Sequence, residues 1–253
     1  MIQRLLVPII LCLLSFILFG CDAASKQKGL MLRPELAKVQ MFQLIDPRVD
    51  WADKNNNYMV QTFDAEWQVV PTGSIELYSQ ARQVYLFAKG YDITQERRYL
   101  QAMVASADVM LDSMYNDTKI FWHSSISRTK AGERAGPKPY STSFAIFAMA
   151  HAYRVSQDKY YLDAALKTWM LDEVSIGSTL ARATQQAESN PAINNTWSLN
   201  PLMHLFEAVL ILHDATTSPS VWQDIESIAQ FIEDSLMQEQ GLFTSSRRGL
   251  RLG

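Results

Sequence analysis

His204 and Glu207 stand three residues apart, so any helix that carries them places both on one face. A carboxylate beside an imidazole fixes its tautomer and raises its basicity, which suits proton transfer. The same pair also serves as a buried histidine satisfied by its neighbour, and spacing alone leaves both readings open. Asn200-Pro201, just upstream, reads as a helix start with asparagine as cap and proline at the first helical position. A second candidate group is Arg82, which a helix aligns with Tyr78 four residues before it and Tyr85 three after. An arginine between two aromatic rings is poorly placed as an ordinary surface charge; it serves a ligand or a structural ion pair. The other histidines, His123, His151 and His213, are scattered and no cysteine joins them, so no metal site is expected. His151 and His213 sit mid-helix and read as structural, and His123 follows Phe121-Trp122 in an aromatic turn that reads as packing. No glycine-rich phosphate loop and no G-x-S-x-G elbow is present, and no cofactor is expected.

The elements that must hold these groups are helices. The chain has 253 residues, 48% hydrophobic and 19% charged, with a net charge of −3. It is too apolar for disorder and too long to need disulfides, and the absence of a basic stripe argues against nucleic acid. Only 10 glycines and 9 prolines interrupt it, which favours helices over a many-turned β fold. Leu77, Ala81, Val84, Tyr85 and Ala88 trace one helix face, and Leu100, Met103, Ala107, Leu111 and Met114 the next. Two further pairs follow, about Ser141 to Arg154 with Lys159 to Leu171, and Pro201 to Ala215 with Val221 to Met237.

These pairs repeat each other. Tyr91-Asp92-Ile93-Thr94 leading to Tyr99-Leu100 recurs as Tyr153-Arg154-Val155-Ser156 leading to Tyr161-Leu162, an offset of 62 residues. His213-Asp214-Ala215-Thr216 falls 60 further on. Thr94, Ser156 and Thr216 are each placed to cap the second helix of a pair. A repeating αα-hairpin of this length gives an open solenoid or a closed toroid, and excludes tetratricopeptide and ankyrin arrays. The long loops Asp117–Pro139 and Ile176–Leu199 favour an all-α fold of the α/α-toroid type, first helices inside and loops building a site at one mouth. Six hairpins need roughly 360 residues, more than the 233 from Cys21 to Gly253. The expectation is therefore an incomplete toroid of about three and a half to four hairpins over residues 35–253. The tail from Leu242 to Gly253 lacks helical periodicity and reads as unrelated to the repeat.

The first twenty residues read as an export signal. Arg4 precedes an apolar run from Leu5 to Phe19, too short to span a bilayer, which ends at Gly20-Cys21-Asp22. This resembles a bacterial lipoprotein signal, which implies lipidation at Cys21, a polar tether over residues 21–34, and an exported chain anchored on the periplasmic face of a membrane. Cys12 lies inside the signal, so the lone Cys21 is accounted for and no intrachain disulfide forms.

Three local motifs, Tyr78-Ser79-Gln80-Ala81-Arg82-Gln83-Val84-Tyr85-Leu86-Phe87-Ala88, Lys138-Pro139-Tyr140-Ser141-Thr142-Ser143-Phe144-Ala145 and Asn200-Pro201-Leu202-Met203-His204-Leu205-Phe206-Glu207-Ala208, resemble the N-acylglucosamine 2-epimerase family over about Trp67 to Phe243. That family includes mannose isomerases and cellobiose 2-epimerases. The resemblance implies an (α/α)6 barrel and cofactor-independent chemistry on an unphosphorylated sugar: a base removes the proton alpha to the open-chain carbonyl, and the enediolate is reprotonated at C2 or C1. It implies His204 and Glu207 as catalytic, and Arg82, Tyr140, Asn200 and Tyr78 as substrate-binding, Arg82 steadying enolate charge. Tyr78 stands where many relatives carry tryptophan, and Leu202 where they frequently carry histidine. The family's two principal proton-transfer histidines belong to later hairpins, which points to a truncated copy. A non-catalytic exported sugar-binding protein, and an α/α-toroid glycoside hydrolase or lyase using Glu76, Glu207 or Asp64, remain the other readings. The sequence assigns no oligomeric state.

Overall fold

The computed structural model describes residues 34–170, 196–237 and 246–248, except 55, 56, 60, 61, 63, 67 and 71. The signal, Cys21 and the tether up to residue 33 lie outside the described residues, as does most of the Ile176–Leu199 loop. The chain forms two compact units, residues 1–40 and 41–253. Of the first, residues 34–40 are helical; the architecture that follows is that of the second.

The helices are α1 (Pro34–Lys54), α2 (Leu77–Thr94), α3 (Arg97–Met114), α4 (Pro139–Ser156), α5 (residues 159–170), α6 (Leu199–Thr216) and α7 (Pro219–Leu236). The apolar stripe of α2 is buried to the last atom: Leu77, Ala81, Val84, Phe87 and Ala88 are all 0% exposed. Helix α4 lies between α2 and α6, and α3 and α7 back α2 and α6 from outside. The first helix of each pair is therefore the inner one, as the repeat requires, and the whole is an arc of an α/α toroid. Among the described residues it amounts to three hairpins preceded by the single helix α1.

Helix α1 is the outer helix of the same repeat. Its Asp46 accepts the Tyr99 hydroxyl, and 62 residues on Asp108 of α3 accepts the Tyr161 hydroxyl at 2.6 Å. The next joint reverses the polarity: Trp169 of α5 donates its indole N–H to Asp224 of α7 at 3.0 Å. Burial, then the carboxylate partner, pushes both tyrosine hydroxyls up in pKa, so each remains a donor. Each outer helix is thus tied to the next by a hydrogen bond from an aromatic side chain to a carboxylate, and at the first joint Arg98 also pairs with Asp46 at 3.0 Å.

The inter-helix hydroxyls do something other than cap the second helix. Thr94 Oγ1 donates back to the Gly90 carbonyl at 2.8 Å and accepts the Glu96 N–H at 3.1 Å. Ser156 repeats this with Ala152 (2.7 Å) and Asp158 (3.1 Å), and Thr216 with Leu212 (2.8 Å) and Ser218 (3.3 Å). The next residue closes the first helix in the left-handed region: Gln95 at φ 59°, Gln157 at 61° and Thr217 at 53°. The hydroxyl sits two residues before the N-cap position, too early to reach the N–H groups of the following helix, and closes the preceding one instead. Gly90 belongs to the same joint, because a Cβ there would lie 2.9 Å from the Tyr99 ring.

Short strands clasp the hairpins. β1 (Ser74–Glu76) runs straight into α2 and pairs antiparallel with β4 (Ser125–Ser127), which follows α3. β2 (Tyr115–Asn116) and β3 (Phe121–Trp122) pair within the connecting loop. β5 (Thr196–Ser198) runs straight into α6 and pairs with β6 (Ser246–Arg248), which follows α7. Ser246–Arg248, in the tail expected to be unrelated to the repeat, therefore takes the place in the third hairpin that β4 takes in the first. Three-residue strands are too short for alternation to register in sequence.

Candidate active site

Helix α2 presents Tyr78 and Arg82, α4 presents Tyr140 and Phe144, and α6 presents His204 and Glu207. The motifs around them explain how they are held. Gln80 and Gln83, on the other face of α2 from Arg82, are buried: Gln80 Nε2 donates to the Asn57 carbonyl at 2.8 Å and its Oε1 accepts the Met59 N–H at 2.7 Å. Gln83 Nε2 donates to the Asn57 carbonyl at 3.0 Å and to Ser106 Oγ at 2.9 Å. These bonds fix the rotation of α2, and with it Arg82. In α4, Thr142 and Ser143 return their hydroxyls to the Lys138 and Pro139 carbonyls, leaving Tyr140 and Phe144 to face the neighbouring inner helices.

The arrangement follows the repeat. With the offsets of 62 and 60, Arg82, Phe144 and His204 occupy one register position on three successive inner helices. Tyr78, Tyr140 and Asn200 share another, and Tyr85, Phe147 and Glu207 a third. The side chains meet accordingly. The Tyr140 ring is 5.9 Å from Tyr78, 5.2 Å from Phe144 and 5.4 Å from His204, centroid to centroid. Phe144 lies 4.5 Å from the His204 ring. The Arg82 guanidinium carbon is 4.6 Å from the centre of Phe144 and 5.4 Å from that of Tyr78, and a guanidinium nitrogen reaches the Tyr140 hydroxyl at 3.5 Å.

His204 Nδ1 is 2.9 Å from Glu207 Oε2. A carboxylate oxygen accepts, so Nδ1 carries the proton and Nε2 is left with its lone pair for a ligand. The Glu207 side chain is 45% exposed, where an ion pair contributes about 0–1 kcal/mol. Its effect is on the orientation and tautomer of His204 and hardly on stability. Among the described residues no carboxylate pairs with Arg82, which is exposed and meets only aromatic groups. Its donors remain available to an oxygen-rich ligand, and the structural-ion-pair reading is set aside.

The expected residues do not all converge equally. Tyr78, Arg82, Tyr140, His204 and Glu207 form one cluster. Asn200 is exposed in the first turn of α6, which begins at Leu199, two residues before the Pro201 start that the Asn-Pro pair suggested. Pro201 is tolerated there because first-turn N–H groups have no intrahelical acceptor. Leu202 is buried, at 9% exposed. Asp64 is spent on its own turn, accepting the Glu66 and Gln68 N–H groups at 3.1 and 2.7 Å, and Glu76 accepts from Ser74. His123 bonds the Ala135 carbonyl and His213 packs on Trp222, as structural histidines do. Among the described residues no His, Cys, Asp or Glu cluster could hold a metal. The residue that sequence reading passed over is Phe144, which looked like one more core apolar in its motif; its register with Arg82 and His204 was the available signal.

Several solved structures share this fold. Cellobiose 2-epimerase from Spirochaeta thermophila is 18% identical over 85% of this chain and 61% of its own, with a TM-score of 0.61. A D-mannose isomerase is 16% identical over 81% of this chain and 55% of its own, at 0.60. An α-mannanase of glycoside hydrolase family 76 from Bacteroides thetaiotaomicron is 17% identical over 76% and 50%, at 0.52. The chain thus spans well under two thirds of the length of these proteins. No curated protein matches it. The family model for N-acylglucosamine 2-epimerase (GlcNAc 2-epimerase) matches residues 57–245, a span that contains every residue of the cluster. The chain belongs to the N-acylglucosamine 2-epimerase family.

Proposed function

We propose that the protein is a cofactor-independent epimerase or isomerase of an unphosphorylated mono- or disaccharide. The observation that carries this reading is the convergence of an uncompensated guanidinium and a carboxylate-oriented imidazole on one aromatic-lined patch. In the reaction, Arg82 and the Tyr140 hydroxyl hold the carbonyl oxygen of the open-chain sugar. Arg82 then stabilises the negative charge that grows there as the neighbouring C–H bond breaks. His204 Nε2, left as the acceptor nitrogen of the ring by the Nδ1–H bond to Glu207, exchanges a proton with the sugar, and the aromatic faces of Tyr78 and Tyr140 pack against its C–H bonds. Reprotonation at C2 from the opposite face yields the epimer, and at C1 the ketose.

One observation favours a second reading. His204 is the only imidazole in the cluster among the described residues, and inversion at C2 asks for proton exchange on two faces. A site that binds sugar without turnover has the same Arg82–Tyr140–His204 geometry. Incubating the chain in D2O with cellobiose, D-mannose or N-acetylglucosamine separates the two. The proposed activity places deuterium at C2 or yields the epimer or ketose. Saturable binding without exchange supports the binding protein, and the absence of both exchange and binding overturns both readings.

The export signal read at residues 1–20 places the protein outside the cytoplasm, held to a membrane by acyl chains on Cys21. Two or more such chains are needed for stable anchoring. Labelled fatty acid is expected to enter the wild-type chain, expressed in a bacterium, and not C21S; equal labelling contradicts the anchor.

A further inference from the structure

We infer that Phe144 is a positioning residue of this site, the ring that holds Arg82 in place while leaving its donors free. This rests on the sugar-site reading above and deepens it. Phe144 is 6% exposed, and it sits on α4, between α2 with Arg82 and α6 with His204. Its ring lies 4.6 Å from the guanidinium carbon and 4.5 Å from the imidazole. It also meets Tyr140 at 5.2 Å and Tyr78 at 6.4 Å, so it approaches every other member of the cluster except Glu207.

A surface arginine is ordinarily fixed by a carboxylate, which uses its donors and cancels its charge. Here the π face does the fixing. A ring quadrupole attracts the cation without accepting a directed N–H bond. Ligand oxygens therefore meet a guanidinium already oriented and still fully charged. The ring also occupies, on α4, the register position that carries Arg82 on α2 and His204 on α6. A charged or polar side chain there would face both and pair with one of them. An apolar aromatic keeps the two groups independent.

The experiment uses the full chain, with F144L, which keeps a smaller apolar side chain and removes the π face, and F144Y, which keeps the face. The first readout is the order of the Arg82 Nε–H bond by 15N relaxation without sugar. In the wild type it is expected to be better ordered than the side chain of exposed Arg128, the reference. In F144L it should fall to the Arg128 level, and F144Y should retain it. The second is sugar affinity, expected to weaken about tenfold in F144L and less than twofold in F144Y. Arg82 as mobile as Arg128 in the wild type overturns the proposal, whether or not the variants fold. So does equal loss in F144L and F144Y, which marks Phe144 as packing alone. A wild-type chain that binds none of the three sugars overturns the sugar-site reading instead, and leaves the sugar-free Arg82 order to decide for Phe144.

Discussion

Arg82→Met is expected to lower sugar turnover by about 10²–10³-fold, the loss typical of removing one donor to a developing oxyanion. The fold should hardly notice. Arg82 is exposed, and among the described residues it makes no ion pair, one long hydrogen bond to Tyr140 and contacts with two aromatic faces. Exposed cation–π contacts contribute roughly 0.5–1 kcal/mol each, so thermal unfolding should shift by only a few degrees. Arg82→Lys tests what kind of group is needed. It restores the charge without the forked donors, and should recover part of the rate. Turnover in Arg82→Met within twofold of wild type would show that the guanidinium does not reach the substrate.

His151→Phe is expected to remove most of an acid-sensitive component of stability. His151 is 3% exposed, packed edge-on against Tyr85 at 4.9 Å and Phe147 at 4.6 Å, and its Nδ1 has no hydrogen-bond partner. Burial, reinforced by Lys89 and Arg154 and opposed by Asp92, lowers its pKa from 6.5 to about 3. Below pH 6.5 the unfolded chain takes up a proton that the native histidine refuses until about pH 3. Native stability therefore falls across that window as pH drops, by about 1.4 kcal/mol per unit. Between pH 7 and 4.5 this one group costs roughly 2–3 kcal/mol. Phenylalanine keeps a ring in the aromatic cluster, cannot take the proton and has no orphaned nitrogen. Denaturant titration at the two pH values should show the loss shrinking by that amount in His151→Phe. An unchanged difference between the two would mean that His151 is protonated in the native state.

The helical part of this fold was legible because it is long-period information. Residues at i, i+4, i+7 and i+11 recur in each helix, and the 62-residue offset joins Thr94 to Ser156 through identical hydrogen bonds. The repeat carried further than the periodicity showed, to the Asp46–Tyr99 and Asp108–Tyr161 ties. What stayed hidden depends on a partner distant in sequence. β6 has no pattern of its own and becomes a strand only because Thr196–Ser198 offers an edge. Thr94, Ser156 and Thr216 were recognisable as turn hydroxyls, but which helix they serve is settled by one or two residues of spacing. Arg82, Tyr78, Tyr140, His204 and Glu207 could be named from their motifs. Phe144 could not, because nothing local separates an apolar ring that faces a guanidinium from one that faces the core.

The claim at the centre of this account is that His204, oriented by Glu207, exchanges a proton with a sugar held by Arg82. Its most direct test is deuterium incorporation into the sugar by the full chain in D2O, beside His204→Ala at equal concentration and with its folding confirmed by thermal unfolding. Incorporation at C2 or C1 by the parent chain is expected, with its loss in His204→Ala while the folded state is retained. Incorporation that survives the substitution unchanged would contradict it, as would a parent chain that exchanges no hydrogen with any of the three sugars.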